Sequence, residues 1–207
     1  GSGGFNTGLR IVRDKGYSYF MCLDDDAAVD ENALSVLYHY MEEHTDTGMA
    51  GCRVYHTQMS DYIQQSGLLI DFDNCTAKTI GADMPEDGSL PDVIECDTVA
   101  TCAVMVRADT VKQKGVGIMP EDNFIYWDDM EWGYRIKLAG YRVVTLAEAK
   151  ALHQMGANTK KENTFINYYM WRNRTNFFMR FTPEAQMEAM SVKVLGAVFD
   201  AMYESMF

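Results

Sequence analysis

Short apolar runs that stop at charged or turn residues recur along the chain. Residues 17–23 are aromatic-rich and β-prone, and the run halts at Asp24-Asp25-Asp26. Residues 48–55, 93–107 and 141–146 repeat the strand pattern, and 149–153 is a separate short apolar run that ends in a histidine. Between them the spacing turns helical. Leu9, Ile11 and Val12 begin a short helix stopped by Gly16. Leu34, Leu37, Tyr38 and Met41 predict a packed helix over 32–43. A helix over 131–138 ends at Gly140, a residue type common just past a helix end. Phe165, Ile166, Tyr169, Met170, Phe177 and Phe181 predict a helical C-terminal segment. Thr182 then caps a last helix with Pro183 at its first position. Residues 56–92 are rich in Asp, Gly, Asn and Ser, and read as a weakly ordered insert with one strand at 68–72. The pattern predicts an α/β fold.

The chain opens on Gly1-Ser2-Gly3-Gly4-Phe5-Asn6-Thr7-Gly8. A glycine loop that leads into a helix offers backbone N–H groups to a phosphate when it follows a strand. No strand precedes this one, so either a tag remnant or a fragment lacking its first strands is expected. The ending at 204–207 stops without a cap in the same way.

Composition narrows the function classes. The chain has 207 residues, 47% hydrophobic, with a formal charge of −12. That suits one domain with a full core. The acidity argues against nucleic acid as a partner and is compatible with recruiting cations. No run is long enough for a membrane span. The five cysteines are odd in number and form no C-x-x-C pair. They read as reduced core thiols, which suggests a cytosolic setting.

Three features carry candidate chemistry. Three adjacent acids after a buried strand repel one another and need water or a cation. In an open α/β sheet, ligands sit beyond the carboxyl ends of the strands. Alternation along an extended backbone points Asp24 and Asp26 one way and Asp25 the other. Two such carboxylates are half of a site for Mg²⁺ or Mn²⁺; an acidic turn that caps the next helix through Asp30 is the competing reading. The second feature is Trp127-Asp128-Asp129-Met130-Glu131, whose acids also suit a helix N-terminus. The third is His153, and a lone histidine is more often a hydrogen-bonded surface residue than a ligand. Together they make a mixed oxygen and nitrogen site, with a carboxylate left over as a general base. Tyr126, Trp127 and Trp132 suit stacking on sugars, against core packing. Arg172 suits diphosphate oxygens, against a surface ion pair.

Gly-Ser-Gly-Gly-Phe, Leu-Asp-Asp-Asp, Trp-Asp-Asp-x-Glu-x-Gly-x-Arg, Ala-Gly-Tyr, Leu-His and Tyr-Tyr-x-x-Arg-Asn occur in this order. The set resembles the family 2 inverting glycosyltransferases of the A-type fold, and within them the bacterial galactofuranosyltransferase and rhamnosyltransferase branch. The resemblance covers about 1–181. It implies a Rossmann-like mixed sheet flanked by helices, missing its first strands. The catalytic core is then 1–158 and the helical segment 159–207. It implies transfer of a hexose from a nucleotide-diphosphate donor to a glycan or lipid-linked acceptor hydroxyl, in cell-surface polysaccharide synthesis. By the same resemblance Asp24, Asp26 and His153 hold Mn²⁺ or Mg²⁺ and Asp129 is the catalytic base. Gly3, Gly4, Asp25, Trp127, Asp128 and Arg172 contact substrate. The setting implied is the cytoplasm, with peripheral contact at the inner face of the plasma membrane. One departure stands out: Asp97-Thr98-Val99-Ala100 occupies the place where galactofuranosyltransferases carry tryptophans. Lacking the strands that cradle the nucleotide base, the chain alone is expected to be inactive and, with an exposed sheet edge, to self-associate. Two other readings remain open. A haloacid-dehalogenase-type phosphatase also places Asp-x-Asp after a strand, and a glycosyltransferase-like fragment without turnover fits as well.

Overall fold

The computed structural model describes residues 1–154 and 164–204. The expected domain boundary at 158 and the chain end at 205–207 lie outside the described residues. Helix α1 (Ser2–Lys15) leads into strand β1 (Tyr19–Leu23), and β2 (Ala27–Val29) follows before helix α2 (Ala33–Glu43). Strands β3 (Thr47–His56), β4 (Tyr62–Gln65), β5 (Leu68–Asp71), β6 (Thr76–Thr79), β7 (Met84–Pro85), β8 (Val93–Glu95) and β9 (Ala103–Arg107) come next. Helix α3 (Asp128–Leu138), strand β10 (Arg142–His153) and helices α4 (Thr164–Phe181) and α5 (Met187–Glu204) complete the order. The main sheet runs β1-β9-β3-β10-β2, with β3 and β10 parallel and the other neighbours on this path antiparallel. No described helix is long and apolar enough to cross a membrane.

The central strands are buried on both faces, which is why they read as continuous apolar runs. Along β9, Val104 and Val106 face one way and Met105 the other. One face packs on Leu9 of α1 and on Trp132 and Ile136 of α3. The opposite face packs on Leu37 and Met41 of α2. A third cluster joins Phe177 and Phe178 of α4, Met190 and Val194 of α5, and Trp127. All five cysteines are free and buried. Burial pushes the thiols of Cys22, Cys52, Cys96 and Cys102 up to about 12, so they stay protonated and inert.

Several local expectations are corrected. The glycine-rich start is helix from Ser2 onward, not a loop. Each glycine disfavours helix by about 1 kcal/mol relative to Ala, and tertiary contacts offset it. Asn6 is fully buried, donates to Met119 O and accepts from Met119 N, both at 2.9 Å. The two apolar runs at 141–146 and 149–153 are one strand, β10. Three residues bulge out of its pairing with β3 between Leu146 and Lys150, and the bulge hides the continuity in sequence. The 56–92 insert carries four short strands rather than one. Leu34 and Tyr38 are exposed, so α2 buries a narrower stripe than its spacing suggests. Thr182 does not cap α5: a 3₁₀ turn at Glu184–Gln186 intervenes, and the Thr182 hydroxyl is buried without a partner among the described residues.

Candidate active site

The acidic triplet is not an extended strand end. Strand β1 finishes at Leu23, opposite Ala103 of β9, and Asp24 N donates to Cys102 O at 3.1 Å. Ala27 N then donates to Asp24 O at 3.2 Å, closing a turn, and β2 begins. Because β2 separates the triplet from α2, the acids do not cap that helix. Strand β2 pairs antiparallel with the end of β10, placing Ala27 opposite His153, and Gln154 N donates to Asp26 O at 3.1 Å. The turn, not strand alternation, therefore brings Asp24 and Asp26 to the same imidazole.

His153 Nε2 lies 3.2 Å from Asp26 Oδ1 and 4.0 Å from Asp24 Oδ2. One ligand atom from each of the three residues falls within 4.8 Å of the others. Ligands about 2.0–2.3 Å from one hard cation stand about 3–4.5 Å apart, so the three need only small side-chain movements to share an ion. The donor set of two carboxylates and one neutral imidazole suits Mn²⁺ or Mg²⁺. Burial raises the Asp24 carboxyl above its usual range, with His153 opposing and Asp26 reinforcing the shift.

Gln64 completes this group, and the sequence carried no signal for it. On β4, it is 9% exposed; its Oε1 stands 2.7 Å from His153 Nδ1 and its Nε2 donates to His153 O at 3.2 Å. An amide oxygen can only accept, so Nδ1 is the donor in this contact, and Nε2 is the nitrogen that faces the two acids and could meet a metal. Gln64→Leu is expected to weaken Mn²⁺ binding about 10–100-fold, the usual worth of such a partner. Calorimetric titration reads it, and an unchanged Kd would remove Gln64 from the site.

Asp128 and Asp129 open α3. Asp128 is buried, and burial raises its carboxyl. Asp129 is partly exposed as a residue, but its carboxyl is ringed by protein. Burial, then the charges of Asp128 and Asp24, push it up to about 7, while its hydrogen bond from Met130 N at 2.8 Å pulls the other way. Asp24 N donates to Cys102 O and the Thr98 hydroxyl donates to Asp129 O, so both acids border the 98–102 stretch that leads into β9. Helix α3 gets there because Gly133 lets it approach Thr98. A Cβ at Gly133 would fall 2.0 Å from Thr98 Oγ1, and that hydroxyl donates to Asp129 O at 3.1 Å. The 97–100 stretch thus holds α3: Asp97 also pairs with Lys137 at 2.7 Å.

Glu131 is fully buried and spoken for. Its carboxylate accepts from Arg180 Nη1 at 2.9 and 2.7 Å, from Asn123 Nδ2 at 3.2 Å, and from Arg135 one helical turn on. The aromatic residues divide in the same way. Trp132 is fully buried and donates from Nε1 to Gly117 O at 3.0 Å, so it belongs to the core rather than to a sugar face. Trp127 is 7% exposed and packs on Phe177 and Phe178 at ring distances of 5.4 and 5.7 Å. Arg172 donates to Asp122 O at 2.6 Å and Asn123 O at 2.9 Å, and its guanidinium lies 4.6 Å over the Tyr169 ring.

Between α1 and β1 lies an open cleft of about 500 Å³, lined by Gly1, Gly4, Gly8, Phe5, Asp24 and Asp25 among others. Side-chain space at Gly3 and Gly4 is empty, so neither glycine is required by contacts within the described chain. Asp25 is exposed on the cleft wall.

The family model for glycosyl transferase family 2 matches residues 1–106, just over half of the chain. The chain belongs to glycosyl transferase family 2. Among solved structures it is similar to GalNAc-T7, crystallised with UDP, GalNAc and Mn²⁺, at a TM-score of 0.61 and 10% identity. The match covers 88% of this chain and 35% of GalNAc-T7, so this family 2 chain spans about a third of that protein's length. A weaker likeness, to A197 from STIV, has a TM-score of 0.45 at 12% identity and covers 75% of this chain and 68% of that one. No curated protein sequence matches the chain. The mixed sheet with its flanking helices is the A-type glycosyltransferase fold.

Proposed function

We propose that this family 2 domain is the catalytic part of a metal-dependent inverting hexosyltransferase. It takes a nucleotide-diphosphate sugar as donor and a hydroxyl of a glycan or lipid-linked acceptor. The observation that carries the reading is the gathering of Asp24, Asp26 and His153 at one point, with the Asp129 carboxyl at the same end of the sheet. GalNAc-T7 holds UDP and Mn²⁺ on the same fold, which supports a nucleotide sugar and a divalent cation here.

Asp24, Asp26 and His153 would hold Mn²⁺ or Mg²⁺, which supplies charge neutralisation for the departing diphosphate. Inversion requires the acceptor oxygen to attack the anomeric carbon from the face opposite the diphosphate. The new C–O bond forms as the bond to the diphosphate oxygen breaks. Asp129 takes the acceptor proton; a carboxyl held near neutrality is a better proton acceptor than one at the usual carboxylate value. Asp25 and Gly4 border the cleft beside the cation group, where the donor diphosphate fits, and Gly3 is Gly4's neighbour on α1. Asp128 shapes the sugar side, with Trp127 behind it.

The ordered motifs favour the bacterial galactofuranosyl- and rhamnosyl-transferring branch, and hence surface polysaccharide synthesis at the inner face of the plasma membrane. The outer edge of β1 has no paired strand among the described residues, which favours self-association. The test is transfer by the full-length protein from a panel of nucleotide sugars, with Mn²⁺ and after chelation. Transfer that stops on chelation and returns with Mn²⁺ is expected. Release of phosphate from simple phosphate esters, with no transfer from any donor, would point to the phosphatase reading instead.

A further inference from the structure

We propose that Asn173, set by Arg172, is the positioning residue that holds the 122–127 loop in the one conformation that aims Asp129 at the acceptor. The inference rests on the assignment of Asp129 as base. Its starting point is a backbone anomaly. Phe124, Tyr126 and Trp127 have φ of 64°, 63° and 61°, a region that bulky L-residues avoid. Three left-handed residues in four steps do not hold themselves. Trp127 is also the residue immediately before α3, so its conformation sets where Asp128 and Asp129 begin.

What holds the loop is a ring of donors around its carbonyls. Asn173 is fully buried, and its Nδ2 lies 2.8 Å from each of Asn123 O, Ile125 O and Tyr126 O, its two protons shared among the three carbonyls. Arg172 Nη2 donates to the carbonyls of Asp122 and Asn123. Ser2 N donates to Phe124 O at 3.0 Å, and Asn123 Nδ2 to Trp127 O at 3.2 Å. Every carbonyl from Asp122 to Trp127 therefore has a donor, and positive φ is what turns them toward it. Arg172 also orients the amide itself, because its Nε donates to Asn173 Oδ1 at 2.8 Å. That contact fixes which way the amide faces, since a flipped amide would set its oxygen against three carbonyls. Tyr169 packs on both Phe124, at 5.2 Å, and the Arg172 guanidinium. The Tyr-Tyr-x-x-Arg-Asn pattern thus has a physical reading as a clamp on the loop before α3. Arg172 is occupied by that clamp rather than turned to a diphosphate.

A side chain that acts through geometry moves kcat more than binding. Asn173→Asp keeps the shape and removes the donors. In the full-length enzyme it is expected to lower kcat about 100-fold, the cost of a misplacement of about 1 Å. Mn²⁺ Kd should stay within about twofold, because the clamp does not touch Asp24, Asp26 or His153. Hydrogen exchange at 122–129 should speed up while β3 and β10 keep their protection. Arg172→Lys, which leaves Asn173 in place but frees its amide to flip, should give a smaller fall in kcat with the same exchange signature. If Asn173→Asp fails to fold, that second variant decides the question. Full kcat with unchanged loop exchange in the variant that folds overturns the inference. So does a fall in kcat matched by an equal loss of Mn²⁺ affinity. Asp129→Asn is run beside them. Turnover lost there but kept in Asn173→Asp sinks the clamp alone, whereas turnover kept in Asp129→Asn removes the base assignment and the inference with it.

Discussion

Asp129→Asn is expected to lower kcat about 10²–10⁴-fold in the full-length enzyme, the usual worth of a general base, with Mn²⁺ and donor affinity little changed. The amide keeps the shape of the carboxyl and cannot accept the acceptor proton. The carboxyl sits with Asp128 beside it, the Asp24 charge in reach, and little water around it. Those surroundings push it up to about 7. A base works only when deprotonated, so kcat should rise with pH through about 7 and then level off. The linkage to stability has the opposite sense. A carboxyl raised above its unfolded value stabilises the fold below the ordinary carboxylate range, near pH 4, and that contribution is lost as pH rises through the folded value. From this group alone the protein should be more stable at pH 5 than at pH 8, and Asp129→Asn should flatten that difference. The pH profile of kcat and thermal unfolding at the two pH values measure both. Near-normal turnover in the variant would remove Asp129 from the mechanism.

The parts of the site that were legible in sequence share one property: their chemistry shows in a short stretch. Three acids after a buried strand are conspicuous because burial and like charge conflict, and Asp24 and Asp26 do meet the His153 imidazole in a group that could hold a metal ion. His153 was legible as the end of an apolar run, although the strand behind it was cut in two by a bulge. The parts that were not legible are set by partners far away in sequence. Gln64 meets His153 across 89 positions. Asn173 meets the 122–127 loop across 47 to 50 positions. The glycines of α1 argued for a loop on local propensity, and only the clamp between Asn6 and Met119, 113 positions apart, shows why they are helical. Trp132 illustrates the same limit from the other side. Its residue type suits a sugar face, and only its burial beneath Phe20 and Gly117 assigns it to the core.

Glu131→Ala is expected to cost about 3 kcal/mol of folding stability, at the lower end of what breaking a buried ion pair costs. Glu131 stands two residues from Asp129, in the same stretch, and is also an acid. Its surroundings separate the two roles. Asp129 has only backbone N–H donors near its carboxyl, chiefly that of Met130, and its charge is disfavoured. Glu131 is buried with two guanidinia and the Asn123 amide around it. A carboxyl whose two oxygens already accept from these donors is structural and has no free lone pair to offer a substrate. Removing it leaves Arg135 and Arg180 facing each other across a buried space. Their side chains are 26% and 34% exposed, so water reaches them in part, which places the expected cost at the low end. Arg180 also pairs with Asp122, at the start of the loop that leads to Asp129. The loss should therefore show as a lower urea midpoint with the slope unchanged, accompanied by reduced kcat in proportion to loosening of the loop. Asp129→Asn should show the reverse pattern, with turnover lost and stability kept. A Glu131→Ala protein as stable as the parent would mean that Arg135 and Arg180 find other partners and that the ion-pair network does not hold α3 in place.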